Sequence, residues 1–319
     1  VSTPEQPLAK RIFQHIQAKR QLSLVLNSID SDVIHFHDLD TAVISLFNEM
    51  RKPWIYDAHE DYSGMISDLA WPLPTVATLL ERYVVSKSDG IITVSPSIMK
   101  RLASYGAKRR LMIFNSRTTE HFSSNVSPHE FRKELGIDSS KLVLLYIGSL
   151  GPGRSVMEAI DAVNSGEKNH LILGGHGMWA SKVSEAIRDS KNVTFLGTVP
   201  SDELPKYFSI ADVILGMRDP SIPDHAISLP NKFFEAAAAK KPIIASSGTF
   251  VGELVLKHKL GKLANYGSVE SLLKSLESLQ DMELRMRCGD SGADLLSGKF
   301  GWKWQARKLN LLYNNLVKK

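Results

Sequence analysis

The chain has 319 residues, 43% of them hydrophobic, which suits two ordinary domains with separate cores and excludes a disordered protein. A formal net charge of +5 and a pI near 9.1 give a mild basic excess that suits phosphorylated substrates, polyanions or anionic lipid and selects none of them. The single cysteine, Cys288, excludes an intramolecular disulfide. With no charged-then-apolar leader and no apolar run long enough to span a bilayer, it favours a reducing, cytoplasmic setting.

Along the chain, short β-branched runs alternate with segments of helical period, the pattern of βα units and parallel sheets covered by helices. Pro4 to Ile29 reads as one long helix. Strands are expected at Asp32 to His37, Trp54 to Asp57, Ile91 to Val94 and Leu111 to Phe114. Asn115 to Ser140 is polar and aperiodic apart from a helical turn at Phe131 to Leu135. A second block has strands at Leu142 to Ile147, Leu171 to Leu173, Val193 to Leu196, Val213 to Gly216 and Pro242 to Ala245. Val269 to Val317 reads as two or three helices, the last carrying Trp302, Trp304, Leu309, Leu312 and Leu316 on roughly one face. The expected division is an N-terminal domain at 1–117, a linker at 118–140, a C-terminal domain at 141–300 and a terminal helix at 301–319 that docks back toward the first domain. Val33 to Phe36 reads as a buried parallel strand that needs neighbours on both sides, yet no strand precedes it. The first domain is therefore expected to lack its first strands, either by truncation or because a partner chain supplies them.

Several groups of residues could carry chemistry. In SLPNKFFEAAAAKKPIIA, from Ser228 to Ala245, Pro230 suits a helix's first turn, Ser228 can cap it, and the free amides there form an anion site. Glu235, set among Phe233, Phe234 and four alanines, is costly to bury without a ribose diol or a fixed donor. It reads equally as a partly exposed carboxylate on a small-residue helix. In YIGSLGPGRS, from Tyr146 to Ser155, a strand turns through glycines into a helix where Arg154 could bind phosphate oxygens, although such turns are also common without a ligand. Leu173 to Gly177, LGGHG, has the same ambiguity, with His176 read as a turn residue. YDAHE, Tyr56 to Glu60, ends a strand with ionisable groups at the edge where α/β sites form. His35, His37, Asp38 and Asp40 end the neighbouring strand. Asp38 or Asp40 is expected to cap the helix near Thr41 rather than to hold a metal, because neighbouring side chains on a strand end point in different directions.

Taken in order, DVIHFHD (32–38), YDAHE (56–60), IITVSPSI (91–98), LYIGSLGPGRS (145–155), LILGGHG (171–177), NVTFLGTVPSDEL (192–204), ADVILGM (211–217) and LPNKFFEAAAAKKPIIAS (229–246) resemble glycosyltransferase family 4. The resemblance covers Asp32 to about Leu316. It implies an α/β GT-B architecture of two Rossmann-like domains that transfers a sugar, with retention, from a UDP- or GDP-sugar to a glycan or lipid-linked acceptor. Cell-surface polysaccharide or glycoconjugate synthesis is the implied setting. By position, Glu235 matches the glutamate on the donor ribose, Arg154 falls near the basic residue on the diphosphate, and His59 matches the histidine facing the transferred sugar. Gly197, Thr198 and Val199 match a segment lying against the base. Gly148, Gly151, Gly153, Gly175, Ser228, Asn231 and Lys232 complete the implied donor site. The first of the family's paired glutamates would fall at Ile227, where this chain has none, which leaves the contacts to the sugar ring unassigned; its usual arginine falls at Ser149, which leaves Arg154 with more of the phosphate load.

Departure of a diphosphate leaves positive charge on the sugar, so the catalysis implied is leaving-group stabilisation by Arg154, Lys232 and helix N-termini, with no metal or other cofactor. The resemblance places the site in a cleft between domains. The alternatives are a nucleotide-sugar epimerase of the same architecture and a non-catalytic or split-enzyme subunit. No nucleic acid partner is expected. Met65, Ile66, Leu69, Trp71 and Leu73 either cover the sheet or meet a lipid-linked acceptor at the membrane's inner face. In the second reading Lys100, Arg101, Lys108, Arg109 and Arg110 add attraction to anionic lipid.

Overall fold

The computed structural model of the protein describes residues 8–47, 49–62 and 72–318. It divides into two compact units, Val1–Phe114 with Ala306–Lys319, and Asn115–Gln305.

In the first unit, β1 (Ile34–His37), β2 (Trp54–Ala58), β3 (Gly90–Thr93) and β4 (Arg110–Met112) form a parallel sheet in that order. β2, Trp-Ile-Tyr-Asp-Ala, and β3, Gly-Ile-Ile-Thr, are the central strands and are buried along their whole length, Asp57 included. Ile55, Ile92 and Ile113 pack with Leu312 and Leu316 of the terminal helix Trp302–Val317. Among the described residues, β1 is paired on one side only, and helix Leu8–Ser28 precedes it in the chain.

A buried polar network ties the helices of this unit to β2. Glu81, on helix Leu73–Lys87, is fully buried; it accepts a hydrogen bond from the Tyr56 hydroxyl at 3.0 Å and pairs with the Arg101 guanidinium. Arg101 sits on helix Pro96–Ala103 and also meets Asp61 at 2.9 Å. Its guanidinium is therefore committed to two carboxylates of its own unit, which counts against Arg101 in the reading where it adds attraction to anionic lipid. Leu73 is exposed, whereas Met65, Ile66, Leu69 and Trp71 lie outside the described residues. Among the described residues, no helix is long and apolar enough to cross a membrane.

The second unit is a six-stranded parallel sheet built from β5 (Leu142–Ile147), β6 (Asn169–Gly174), β7 (Val193–Gly197), β8 (Val213–Leu215), β9 (Ile243–Ser246) and β10 (Gly261–Ala264). Its order, β7-β6-β5-β8-β9-β10, is the doubly wound 3-2-1-4-5-6 arrangement. Leu144, Leu171, Val213 and Ile244 lie in one core with Val156, Ile160 and Val163 from helix Val156–Asn164. The stretch 118–140 belongs to this unit and contains helix Pro128–Glu134, capped by Ser127 and anchored by buried Phe131. Arg132 donates to the Ile210 carbonyl at 2.9 Å and pairs with Asp212, which accepts the Val143 amide at 2.8 Å.

Candidate active site

Order reverses between β5 and β8, which are direct neighbours with Leu144 opposite Val213. In an open parallel sheet the crevice at such a switch point, beyond the strands' carboxyl ends, is where ligands bind. The loops leaving β5 and β8 both reach it, and the helix Asn231–Ala238 follows the second.

After β5 the chain runs through Gly148, Gly151 and Gly153 to Arg154, and Ser155, at φ 50°, starts helix Val156–Asn164. Gly153 has φ 76°, and a Cβ there would lie 2.6 Å from His225 Cε1, so only glycine fits. Its amide donates to the Tyr266 hydroxyl at 3.1 Å, and its carbonyl accepts the Asp219 amide at 3.1 Å. The buried Ser155 hydroxyl has no hydrogen-bond partner and provides no cap. The helix's amino end therefore keeps open amides beside Arg154.

Lys232 lies in the first turn of helix Asn231–Ala238, and its ammonium donates to the Ile147 carbonyl and sits 4.2 Å from the Tyr146 ring centre. Removal from water, reinforced by Arg154 and Arg218 against the pull of Glu235, brings Lys232 down to about 8. Burial, Arg218 and Arg154 likewise hold His225 down, at about 4. These shifts mark Arg154, Lys232 and Arg218 as one cationic cluster. Arg218 follows β8, its backbone amide donates to Ser246 at 2.9 Å, and its guanidinium donates to Ser228 and stands 3.9 Å from Asp224.

Ser228 thus accepts from Arg218 rather than capping the helix, whose N-cap is Pro230; that corrects the expected capping role, and Pro230 sits just outside the first turn instead of in it. Glu235 is half-buried, with Oε1 3.9 Å from Arg117. Asn231 is exposed and lines a cleft with Asn115, Arg117, His121 and Trp302. Gly175 faces backbone: a Cβ there would meet the Gly148 carbonyl oxygen at 1.8 Å, and its amide donates to Gly197 at 2.6 Å. The His176 carbonyl accepts the Leu150 amide at 2.8 Å, so that turn braces the glycine loop from below. Thr198 is exposed and Val199 half-buried just past β7.

His59 belongs to the first unit. There, alternation along β1 sends His35 and His37 to one face, and the register sets Asp57 beside His37. His35 Nε2 lies 3.1 Å from Asp57 Oδ2, with His59 Nε2 at 3.6 Å and His37 Nδ1 at 3.7 Å from the same oxygen. Burial, followed by the neighbouring His35, lowers His37 from the ordinary imidazole range. Asp38, at φ 60°, opens helix Asp38–Ala42 and accepts the His59 amide at 3.0 Å. No side chain caps that helix, so the capping role expected of Asp38 or Asp40 is not the one Asp38 performs.

The family model described as glycosyl transferases group 1 matches residues 128–294, and the one described as Glycosyltransferase Family 4 matches residues 1–115. The chain belongs to this glycosyltransferase family. Its fold class is GT-B, with two Rossmann-like units. An uncharacterized glycosyltransferase of Methanocaldococcus jannaschii is 26% identical over 74% of this chain and 62% of its own length. A GDP-mannose-dependent phosphatidylinositol monomannoside mannosyltransferase of Mycobacterium tuberculosis is 25% identical over 76% of the chain and 66% of its own. The chain thus spans less than two thirds of the length of the first of these glycosyltransferases. Among solved structures, sucrose-phosphate synthase of Thermosynechococcus elongatus superposes with TM-score 0.79 at 17% identity, covering 99% of this chain and 82% of that one. Anabaena HepE in complex with UDP gives 0.76 at 16%, covering 94% and 82%.

Sequence reasoning passes over Arg218, Arg117 and Tyr266. Arg218 follows the ADVILGM strand directly, and that position, at the end of the strand beside the switch point, is the signal that could have found it.

Proposed function

We propose that the second unit holds the donor of a nucleotide-sugar-dependent glycosyltransferase, with the diphosphate against Arg154, Lys232 and Arg218 and the ribose on Glu235. The observation that carries this reading is the cationic cluster at the switch point, beside the uncapped amino end of helix Val156–Asn164. Doubly charged phosphate neutralises such a cluster, and the charge-assisted contacts strengthen as the leaving group gains charge in the transition state. These side chains carry that charge without a metal.

Transfer with retention, His59 beside the transferred sugar, and a glycan or lipid-linked acceptor complete the reading. They rest on family membership and on the positions of the matching residues. Support for the donor class comes from HepE, a neighbour of the same fold whose structures hold UDP and UDP-glucose.

Calorimetric titration with UDP and GDP tests the site. Losing one charge-assisted contact costs about 1.5–3 kcal/mol, roughly ten- to a hundredfold in affinity, so Arg154→Ala and Glu235→Ala should each weaken binding by that factor. Folded variants that bind as tightly as the parent would remove the assignment. A nucleotide sugar altered without any acceptor would favour an epimerase instead.

A further inference from the structure

We infer that the outward face of helix Leu73–Lys87 docks flat on a bilayer that carries anionic lipid. The reading is independent of the donor site, because the helix lies in the first unit and the readout needs no nucleotide.

A helix packed on a domain normally buries one apolar stripe and turns a polar face to solvent. This helix is apolar on both sides. Its inner side buries Ala77, Glu81, Val84 and Val85. Its outer side carries Leu73, Val76, Leu79 and Tyr83, and all four are exposed, Leu79 by 58%. Their spacing of three and four residues sets them in one row. At 1.5 Å per residue the row is about 15 Å long. Single exposed apolar side chains are ordinary, but an aligned row over three turns marks an interaction surface.

Charge selects the occupant. The one acidic residue of this helix, Glu81, is turned inward and paired with Arg101, so the outer face carries no carboxylate of its own. Its charges are Arg82 and Lys87, both exposed. The Lys87 ammonium stands 5.7 Å from the Tyr83 ring centre, and the Arg82 guanidinium 5.7 Å from that of Tyr105. Just past the helix, Arg109 donates to the Asp89 carbonyl at 3.2 Å, while the Asp89 carboxylate accepts the Trp54 amide at 3.1 Å. Three cations thus gather at the carboxyl end of the apolar row.

An anionic bilayer satisfies both halves of this face. Leu73, Val76 and Leu79 enter the boundary between headgroups and acyl chains, and Tyr83 sits at headgroup depth with its hydroxyl in water. Arg82 and Lys87 lay their stems along the apolar surface and reach lipid phosphate. A second copy of the same face would bring the same cations and no acid to pair them.

Sedimentation of the full chain with sucrose-loaded vesicles tests the inference, one set made of phosphatidylcholine alone and the other of phosphatidylcholine and phosphatidylglycerol in equal parts. The chain should sediment with the anionic set at low salt, come off as salt rises, and stay in solution with phosphatidylcholine alone. Val76→Ser with Leu79→Ser, at exposed positions, should weaken binding more than tenfold. So should Arg82→Gln with Lys87→Gln, because each cation near the surface contributes about fivefold. Circular dichroism of each variant controls for folding. As a second measurement, Leu79→Cys carries a polarity-sensitive dye, which the buried Cys288 leaves to that one position, and its emission should shift to the blue on anionic vesicles. A parent that ignores anionic vesicles, a serine variant that binds them as tightly as the parent, or a dye that does not shift overturns the inference. So does a parent that forms dimers lost in the serine variant without binding vesicles, since the face would then be a contact between copies.

Discussion

Lys232 is the residue at which burial and function meet most directly. Its ammonium costs free energy to desolvate and is partly compensated by the Ile147 carbonyl and the Tyr146 ring, and it remains lowered to about 8. Between that value and the ordinary lysine value the folded chain binds fewer protons here than the unfolded chain. This group's penalty to stability is therefore full below pH 8 and fades as pH rises towards 10.5. An anion beside Lys232 raises its affinity for a proton. Nucleoside diphosphate binding at pH 8 should therefore take up protons, seen as a binding enthalpy that varies with the ionisation enthalpy of the buffer. Lys232→Met should abolish most of that dependence and weaken binding, whereas equal enthalpies across buffers for the parent would refute the role. The lysine was legible in the sequence because it lies one helical turn before Glu235. Arg218 and the Asp57 cluster were not, because a loop arginine carries no period and three histidines converge on one carboxylate only through the β1–β2 register.

At the scale of elements, the sequence shows what repeats locally and hides what depends on a partner. Strands rich in Val, Ile and Leu, such as Leu142–Ile147, follow from their composition, whereas β10, Gly-Lys-Leu-Ala, has neither β-branched residues nor alternation. Pairing with β9, Gly261 against Ile243, makes it a strand. The expected strand at Leu111 to Phe114 ends instead at Met112, and Ile113 serves the core beside Leu312 and Leu316. The Glu81–Arg101 pair is likewise invisible as a motif, yet it joins two helices and, through Tyr56, a strand. Removing Glu81 leaves Arg101 its pair with Asp61 but strands the buried Tyr56 hydroxyl and one edge of the guanidinium, so Glu81→Ala should cost about 3 kcal/mol. Tyr56→Phe, which loses a single hydrogen bond to a charged group, should cost about 1.5–3 kcal/mol. Urea unfolding of both variants checks the order, and a Glu81→Ala loss below 1 kcal/mol would show that the network contributes little.

For the molecule as a whole, each unit has its own sheet and its own core, so a ligand that binds one should stabilise that one first. The proposed nucleotide site draws on the β5 and β8 loops and on helix Asn231–Ala238, all within Asn115–Gln305. A ligand at a hundred times its Kd adds about 2.7 kcal/mol to the form that binds it. Peptide-resolved hydrogen exchange on the full chain, with UDP or GDP at that excess, should show its largest gain in protection in peptides from Leu142 to Ser246. If nucleotide protected Ile34 to Ala58 more than the β5 and β8 peptides, the donor would sit elsewhere, and the cationic cluster at the switch point would need another explanation.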